Sequence, residues 1–68
     1  MSGGRDGQGP SRGEVFFEFT RIGAQVRVAA IDERTGIEVV TIAPAHATQL
    51  QMRELALAKL RRRLQNQS

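Results

Sequence analysis

The sequence predicts a small α+β domain, in which a three-stranded antiparallel β-meander precedes one C-terminal α-helix. β-Branched and aromatic residues dominate "GEVFFEFTRIGAQVRVAAIDERTGIEVVTIAPA", a segment that begins at Gly13 and contains two turn-forming stretches. The later segment "MRELALAKLRRRL" is rich in strong helix formers and contains neither glycine nor proline. These two observations predict a β-β-β-α order, and we assign residues 13–66 to a single domain.

The chain before this domain has the composition of a disordered tail. Met1–Arg12 contains no apolar residue after Met1 that could bury surface and offset the loss of chain entropy. It lacks the apolar segment of a signal peptide, and no later run is long enough to span a bilayer. The 68-residue chain has no cysteine, so a disulfide is excluded, and its one histidine, His46, cannot build a zinc site alone. We expect no cofactor and a cytoplasmic location.

Two turns set the pairing of the strands. Gly23-Ala24 has glycine at the first central position, as a two-residue type II′ hairpin requires. The "DERTG" stretch is typical of a type I-based loop, in which Asp32 accepts backbone hydrogen bonds and Gly36 supplies a positive φ. These turns pair Ile22 with Gln25 and Asp32 with Ile37.

The predicted pairing sorts the side chains onto two faces, because neighbours along a strand alternate. The core face is almost wholly apolar and collects Val15, Phe17, Phe19, Val26, Val28, Ala30, Ile37, Val39 and Thr41. The outer face is mixed and collects Phe16, Glu18, Thr20, Ile22, Arg27, Ala29, Ile31, Glu38, Val40 and Ile42. We expect Glu18 to pair diagonally with Arg27 across the first two strands.

The helix has a clear start and an unusually broad apolar side. Pro44 cannot donate to a strand ladder and is predicted to close the third strand. "TQLQ" matches a capping box with Thr48 at the N-cap and Gln51 at N3. The apolar residues then spread over an arc of about 220°, wider than one partner surface needs: Leu50, Met52, Leu55, Ala56, Leu57, Leu60 and Leu64.

The positive charge is concentrated in the helix. The chain carries a net charge of +3, yet from Thr48 onward five basic residues face one acid, Glu54. Cations at a helix C-terminus complement its dipole, and the consecutive arginines fan over about 200° rather than sharing a side. A helix terminus is the favoured interpretation, and weak, salt-sensitive nucleic-acid binding is the alternative. The residues that would make that contact are Arg53, Lys59, Arg61, Arg62 and Arg63.

The sequence offers no plausible catalytic constellation. Glu18 and Glu38 share the outer face, but they lie two strands apart and two residues out of line, a separation of roughly 11–12 Å. Paired carboxylates of glycosidases lie closer, at about 5–9.5 Å. His46 falls in the connector "APAHA" with no nucleophile or carboxylate at a useful spacing, and we expect an exposed loop residue. We therefore predict that the protein is not an enzyme.

The pattern resembles a family of short alphaproteobacterial proteins of unknown function. The resembling segments are "GEVFFEFTRIG" (Gly13–Gly23), "AAIDERTGIEV" (Ala29–Val39) and the "LALAKL" of the helix (Leu55–Leu60). The resemblance implies one compact β-β-β-α unit in a bacterial protein. It implies no catalytic or binding residue, because no activity is assigned to that family.

Size and surface together predict a homodimeric protein-interaction module. Roughly 55 ordered residues without disulfides or metals are marginal alone. The broad arc of the helix and the apolar residues of the outer face would leave a monomer with an exposed apolar patch. The short connector also favours exchange of the helix between protomers. We predict an interface that includes Phe16, Ile31, Val40, Ile42, Leu50, Leu57, Leu60 and Leu64.

Overall fold

A computed structural model describes residues 14–66, and it confirms the predicted fold class. Strands β1 (Val15–Ile22), β2 (Gln25–Asp32) and β3 (Glu38–Pro44) form one antiparallel sheet in the order β1-β2-β3. Helix α1 (Gln49–Gln65) follows β3. The predicted tail, Met1–Arg12, lies outside the described residues.

The first hairpin has the predicted register and turn type. Ile22 pairs with Gln25, and Gly23 has φ of 61°. Ala24 has a negative φ, since no non-glycine residue of the described chain has a positive one. A positive φ at the first central residue only is the signature of a type II′ turn, whose twist matches that of the flanking strands. The Arg21 Nε also donates to the Gly23 carbonyl oxygen over 2.6 Å.

The second hairpin is held by its own loop residues, as predicted. The Asp32 amide donates to the Ile37 carbonyl oxygen over 2.8 Å, which confirms this pairing. Gly36 has φ of 74°, and its amide donates to the Asp32 carbonyl oxygen over 2.7 Å. The Asp32 carboxylate accepts from the amide of Thr35 at 3.1 Å and from its hydroxyl at 2.7 Å. Asp32 therefore fixes both the start and the interior of the loop.

The core lies between the core face of the sheet and α1. Leu60 and Val28 are its largest fully buried side chains. Ala43, which was not predicted to lie on the core face, is also buried, because the alternation of β3 continues to its last residues. The buried cluster consists of Val26, Val28, Ala30, Val39, Ala43, Met52, Ala56 and Leu60.

The start of the helix is confirmed as a capping box. The Thr48 hydroxyl accepts from the Gln51 amide at 3.0 Å, and the Gln51 side-chain oxygen accepts from the Thr48 amide at 2.9 Å. Two amides that have no partner within a helix are thereby satisfied reciprocally. Asn66 caps the C-terminal end of the helix, and its amide donates to the Arg62 carbonyl oxygen over 3.2 Å.

The buried side of the helix is narrower than its apolar arc. α1 lies over β2 and β3, and only Met52, Ala56 and Leu60 are buried along it. Leu50 and Leu55 are 57% and 51% exposed. The helix thus covers two of the three strands and leaves the β1 side of the core face open.

Candidate interaction surfaces

The open side of the core face is lined by aromatic residues of β1. The rings of Phe17 and Phe19 stack with centroids 6.5 Å apart and an angle of 24° between their planes. Both are half-buried, and both pack against the edge of the core together with Leu57 and Leu64 of α1. We call these four residues the β1 flank.

The outer face of the sheet is not covered by any element formed from residues 14–66. Phe16, Ile22 and Ile42 are 50%, 54% and 49% exposed, while Ile31 and Val40 are half-buried. Exposed large apolar side chains scattered singly are normal, but here they share one face of a three-stranded sheet. This face is therefore a second candidate contact surface.

One ion pair expected on the outer face, between Glu18 and Arg27, is not formed in the described chain. The register places Thr20 opposite Arg27 and Glu18 opposite Ala29. Glu18 and Arg27, both within the described chain, form no ion pair, so the predicted diagonal pair is wrong. An exposed pair of this kind contributes little free energy and does not offset the entropy lost when two long side chains are fixed.

The predicted interface residues of the helix occupy three different environments. Leu50 is exposed, and Leu57 and Leu64 are half-buried on the β1 flank. Leu60 is only 1% exposed and packs against the sheet of its own chain. It would contribute to contacts between protomers only if the helix were exchanged.

The basic residues of the helix do not form one patch. Arg53 and Arg61–Arg63 are exposed, and at about 100° per residue their side chains point in several directions around the helix. The Lys59 Nζ instead donates to the Val40 carbonyl oxygen at the free edge of β3, over 2.5 Å. Sequence reasoning missed this contact, because it depends on how the helix is oriented over the sheet.

Glu18 and Glu38, the two carboxylates weighed as a catalytic pair, lie far apart. Glu18 lies opposite Ala29, which lies opposite Val40, so Glu18 and Glu38 are separated by two strands and two residues, as predicted. Within residues 14–66, no three His, Asp or Glu side chains gather closely enough to hold a metal ion together.

A shallow groove lies beside the exposed His46. Its volume is about 510 Å³, and helix residues such as Glu54 and Leu55 form its opposite wall. Neither a hydrogen bond nor an ion pair joins His46 to another of the described residues. The groove therefore brings together one imidazole and one carboxylate without a geometry that defines a reaction.

The helix itself is a surface element of a small domain. No helix in the described part of the chain is long and apolar enough to cross a membrane.

These observations define a class of protein: a small α+β domain that exposes apolar surfaces and a basic helix end. A family model described as "Domain of unknown function (DUF6898)" matches residues 12–67. The chain therefore belongs to this family, which confirms the predicted membership of a family of unknown function. Neither curated proteins nor solved structures yielded a significant match.

Proposed function

We propose that this protein is a small non-enzymatic interaction module that acts as a homodimer. The observation that carries the proposal is the incomplete cover of the sheet: α1 lies over β2 and β3, so the β1 flank is only half-buried and the outer face is open. Association buries such surfaces and supplies the burial that a chain of this size lacks. The cysteine-free composition is what supports a cytoplasmic site of action.

The exposed positions support association through surfaces that need no unfolding. Phe16, Ile22 and Ile42 are about half exposed, so burying them requires no rearrangement of the domain. Exchange of α1 is a second route to a dimer, and it is the only one in which Leu60 would contact another protomer. The connector between β3 and α1 is short, which favours such exchange.

Size-exclusion chromatography with multi-angle light scattering tests the proposal. At micromolar concentration, we expect about twice the chain mass of 7.5 kDa. The mass should fall on dilution, and the melting midpoint should fall with it, because association stabilises only the folded state. A cooperative monomer with the same melting midpoint over a hundredfold dilution range would exclude the homodimer.

Weak nucleic-acid binding is the second candidate, and the exposure of Arg53 and Arg61–Arg63 favours it. None of these guanidinium groups forms an ion pair with an acidic residue of the described chain. Their spread around the helix supports contacts to phosphates rather than to base edges. We expect such binding to weaken steeply as salt rises, since each phosphate contact releases a counterion.

Fluorescence anisotropy with labelled single-stranded and duplex oligonucleotides at low salt tests this candidate. Arg61–Arg63→Ser should abolish binding. A matched variant with Arg21, Arg27 and Arg34 changed to serine removes the same charge from the sheet and its second loop and should retain most of the affinity. Equal losses in both variants would indicate a nonspecific effect of net charge, and no binding by the wild type at low salt would exclude the candidate.

A further inference from the structure

The two edges of the sheet differ in a way that selects one of them for association. At the β3 edge, Pro44 has no amide to donate, and Lys59 occupies the outward carbonyl oxygen of Val40. Both features are devices that keep an edge strand from pairing with another chain. Within residues 14–66, the β1 edge carries neither device.

The hydrogen-bond pattern shows which groups of β1 are available. Ile22 and Gln25 flank the two-residue turn, and the Glu33 amide donates to the Glu14 carbonyl oxygen over 2.8 Å at the other end. Bonded pairs alternate with non-bonded pairs in an antiparallel ladder, so the even-numbered residues of β1 bond to β2. The odd-numbered residues direct their amide and carbonyl groups away from β2. No hydrogen bond within residues 14–66 engages these outward groups, which belong to Val15, Phe17, Phe19 and Arg21.

We propose that two copies of this chain pair through their β1 strands, antiparallel and centred on Phe19, to form a continuous six-stranded sheet. This inference rests on the proposed homodimer and specifies its interface. It requires no exchange of the helix. The local two-fold axis of such a pair runs perpendicular to the sheet, so both helices lie on the same face.

The side chains of β1 select this register among the two-fold alternatives. Centring on Phe19 places Phe16 opposite Ile22 of the second copy, and these are the two most exposed apolar side chains of β1. It places Glu18 opposite Thr20 of the second copy. Centring on Glu18 would instead oppose two like charges directly, which is destabilising. Centring on Phe17 or Thr20 would set Glu18 against Phe16 or Ile22, a carboxylate against an apolar side chain.

The chosen register also uses the outward backbone groups. Phe19 would pair with its own copy, and Phe17 with Arg21 of the second copy. Each bonded pair exchanges two hydrogen bonds, so three such pairs give about six between the copies. Arg21 would then lie beside the ring of Phe17, where a guanidinium is attracted to the aromatic face.

The same arrangement closes the open side of the core. Lys59 reaches the β3 edge, so the opposite side of the helix, which bears Leu57 and Leu64, faces towards β1. Pairing two β1 strands would bring the β1 flanks of the two copies against each other between their helices. Half-buried Phe17 and Phe19 would then become part of one shared apolar layer.

Cysteine cross-linking tests the register without background, because the chain has no cysteine of its own. Glu18 and Thr20 would form a non-bonded pair, whose Cα atoms lie about 4.5 Å apart and within reach of a disulfide. We expect an equimolar mixture of Glu18→Cys and Thr20→Cys to form disulfide-linked dimers on mild oxidation. Each variant alone should not, since the diagonal separation is about 7–8 Å. Cross-linking of Glu18→Cys alone would overturn the register.

Proline substitution tests the edge itself. Arg21→Pro removes an outward amide and leaves the ladder to β2 intact, so the domain should stay folded by circular dichroism. We expect its dimer dissociation constant to rise at least about tenfold, because two hydrogen bonds per dimer are lost. Arg21→Ala keeps the amide and serves as the matched control. It should dimerise much more tightly than Arg21→Pro.

Two apolar positions of nearly equal exposure, 50% and 51%, give an independent check. Phe16→Glu should weaken the dimer, whereas Leu55→Glu, on the side of the helix that faces away from β1, should not. A dimer that tolerates Arg21→Pro and Phe16→Glu and gives no mixed cross-link would overturn the β1 interface and leave the homodimer standing. A wild-type monomer would overturn both.

Discussion

Gly36 offers the most direct test of the loop that joins β2 and β3. Its φ is 74°, in the left-handed region that residues with a Cβ adopt at a cost of about 1–2 kcal/mol. A Cβ built at Gly36 meets no atom within 4 Å, so a substitution there introduces backbone strain and no steric clash. The measured loss therefore reports backbone conformation rather than side-chain packing.

We expect Gly36→Val to lower the free energy of unfolding by about 1–2 kcal/mol. The strain is greatest for a β-branched side chain, and the loss of unfolded-state entropy on replacing glycine offsets about 0.4–1 kcal/mol of it. Urea denaturation at one fixed protein concentration measures the change. The concentration is held constant because association would otherwise contribute to the apparent stability.

Two matched variants isolate the cause. Gly36→Asn should cost much less, since asparagine tolerates the left-handed region better than other residues. Glu33→Val introduces the same side chain at an exposed loop position with negative φ and should change stability by less than about 0.5 kcal/mol. If Gly36→Val proved as stable as Glu33→Val, the loop geometry described above would be refuted.

Two further pairs of substitutions test the core and the helix start by the same denaturation assay. Leu60→Ala should cost about 2–5 kcal/mol, because Leu60 is only 1% exposed, whereas Leu55→Ala, at 51% exposure, should cost about 0.5 kcal/mol or less. Similar losses for both leucines would contradict the orientation of the helix. Thr48→Ala should cost about 1 kcal/mol through loss of the cap, and more than Gln51→Ala, where alanine's helix propensity offsets the loss of the reciprocal bond. Equal losses would indicate that the reciprocal bond from Gln51 contributes more than the Thr48 cap, and would contradict this expectation.

Local sequence signals were sufficient for the elements and their pairing. Each turn of the sheet carries a residue suited to its backbone conformation: Gly23 and Gly36 adopt positive φ, and Asp32 anchors the second loop. A hairpin register follows from its turn, so both registers and both faces were predictable. Thr48 marked the start of the helix in the same way.

The placement of the helix could not be predicted, because it depends on contacts distant in the sequence. The apolar arc of α1 shows which side chains are apolar, but not which of them meet the sheet. Small residues such as Ala56 and Ala43 let helix and sheet approach closely, and both are buried. The bond from Lys59 to Val40 depends on this orientation too. Only the three-dimensional structure of the domain shows that the helix leaves β1 uncovered.

The broad apolar arc nevertheless constrains any model of association. Leu50 and Leu55 lie on opposite sides of the buried stripe, and both are more than half exposed. One flat partner surface cannot cover both leucines, so the whole apolar arc does not correspond to a single interface. Pairing through β1 would bury the side that carries Leu57 and Leu64 and leave Leu55 exposed beside the groove near His46. A homodimer of this kind would therefore leave one apolar position of each helix outside its interface.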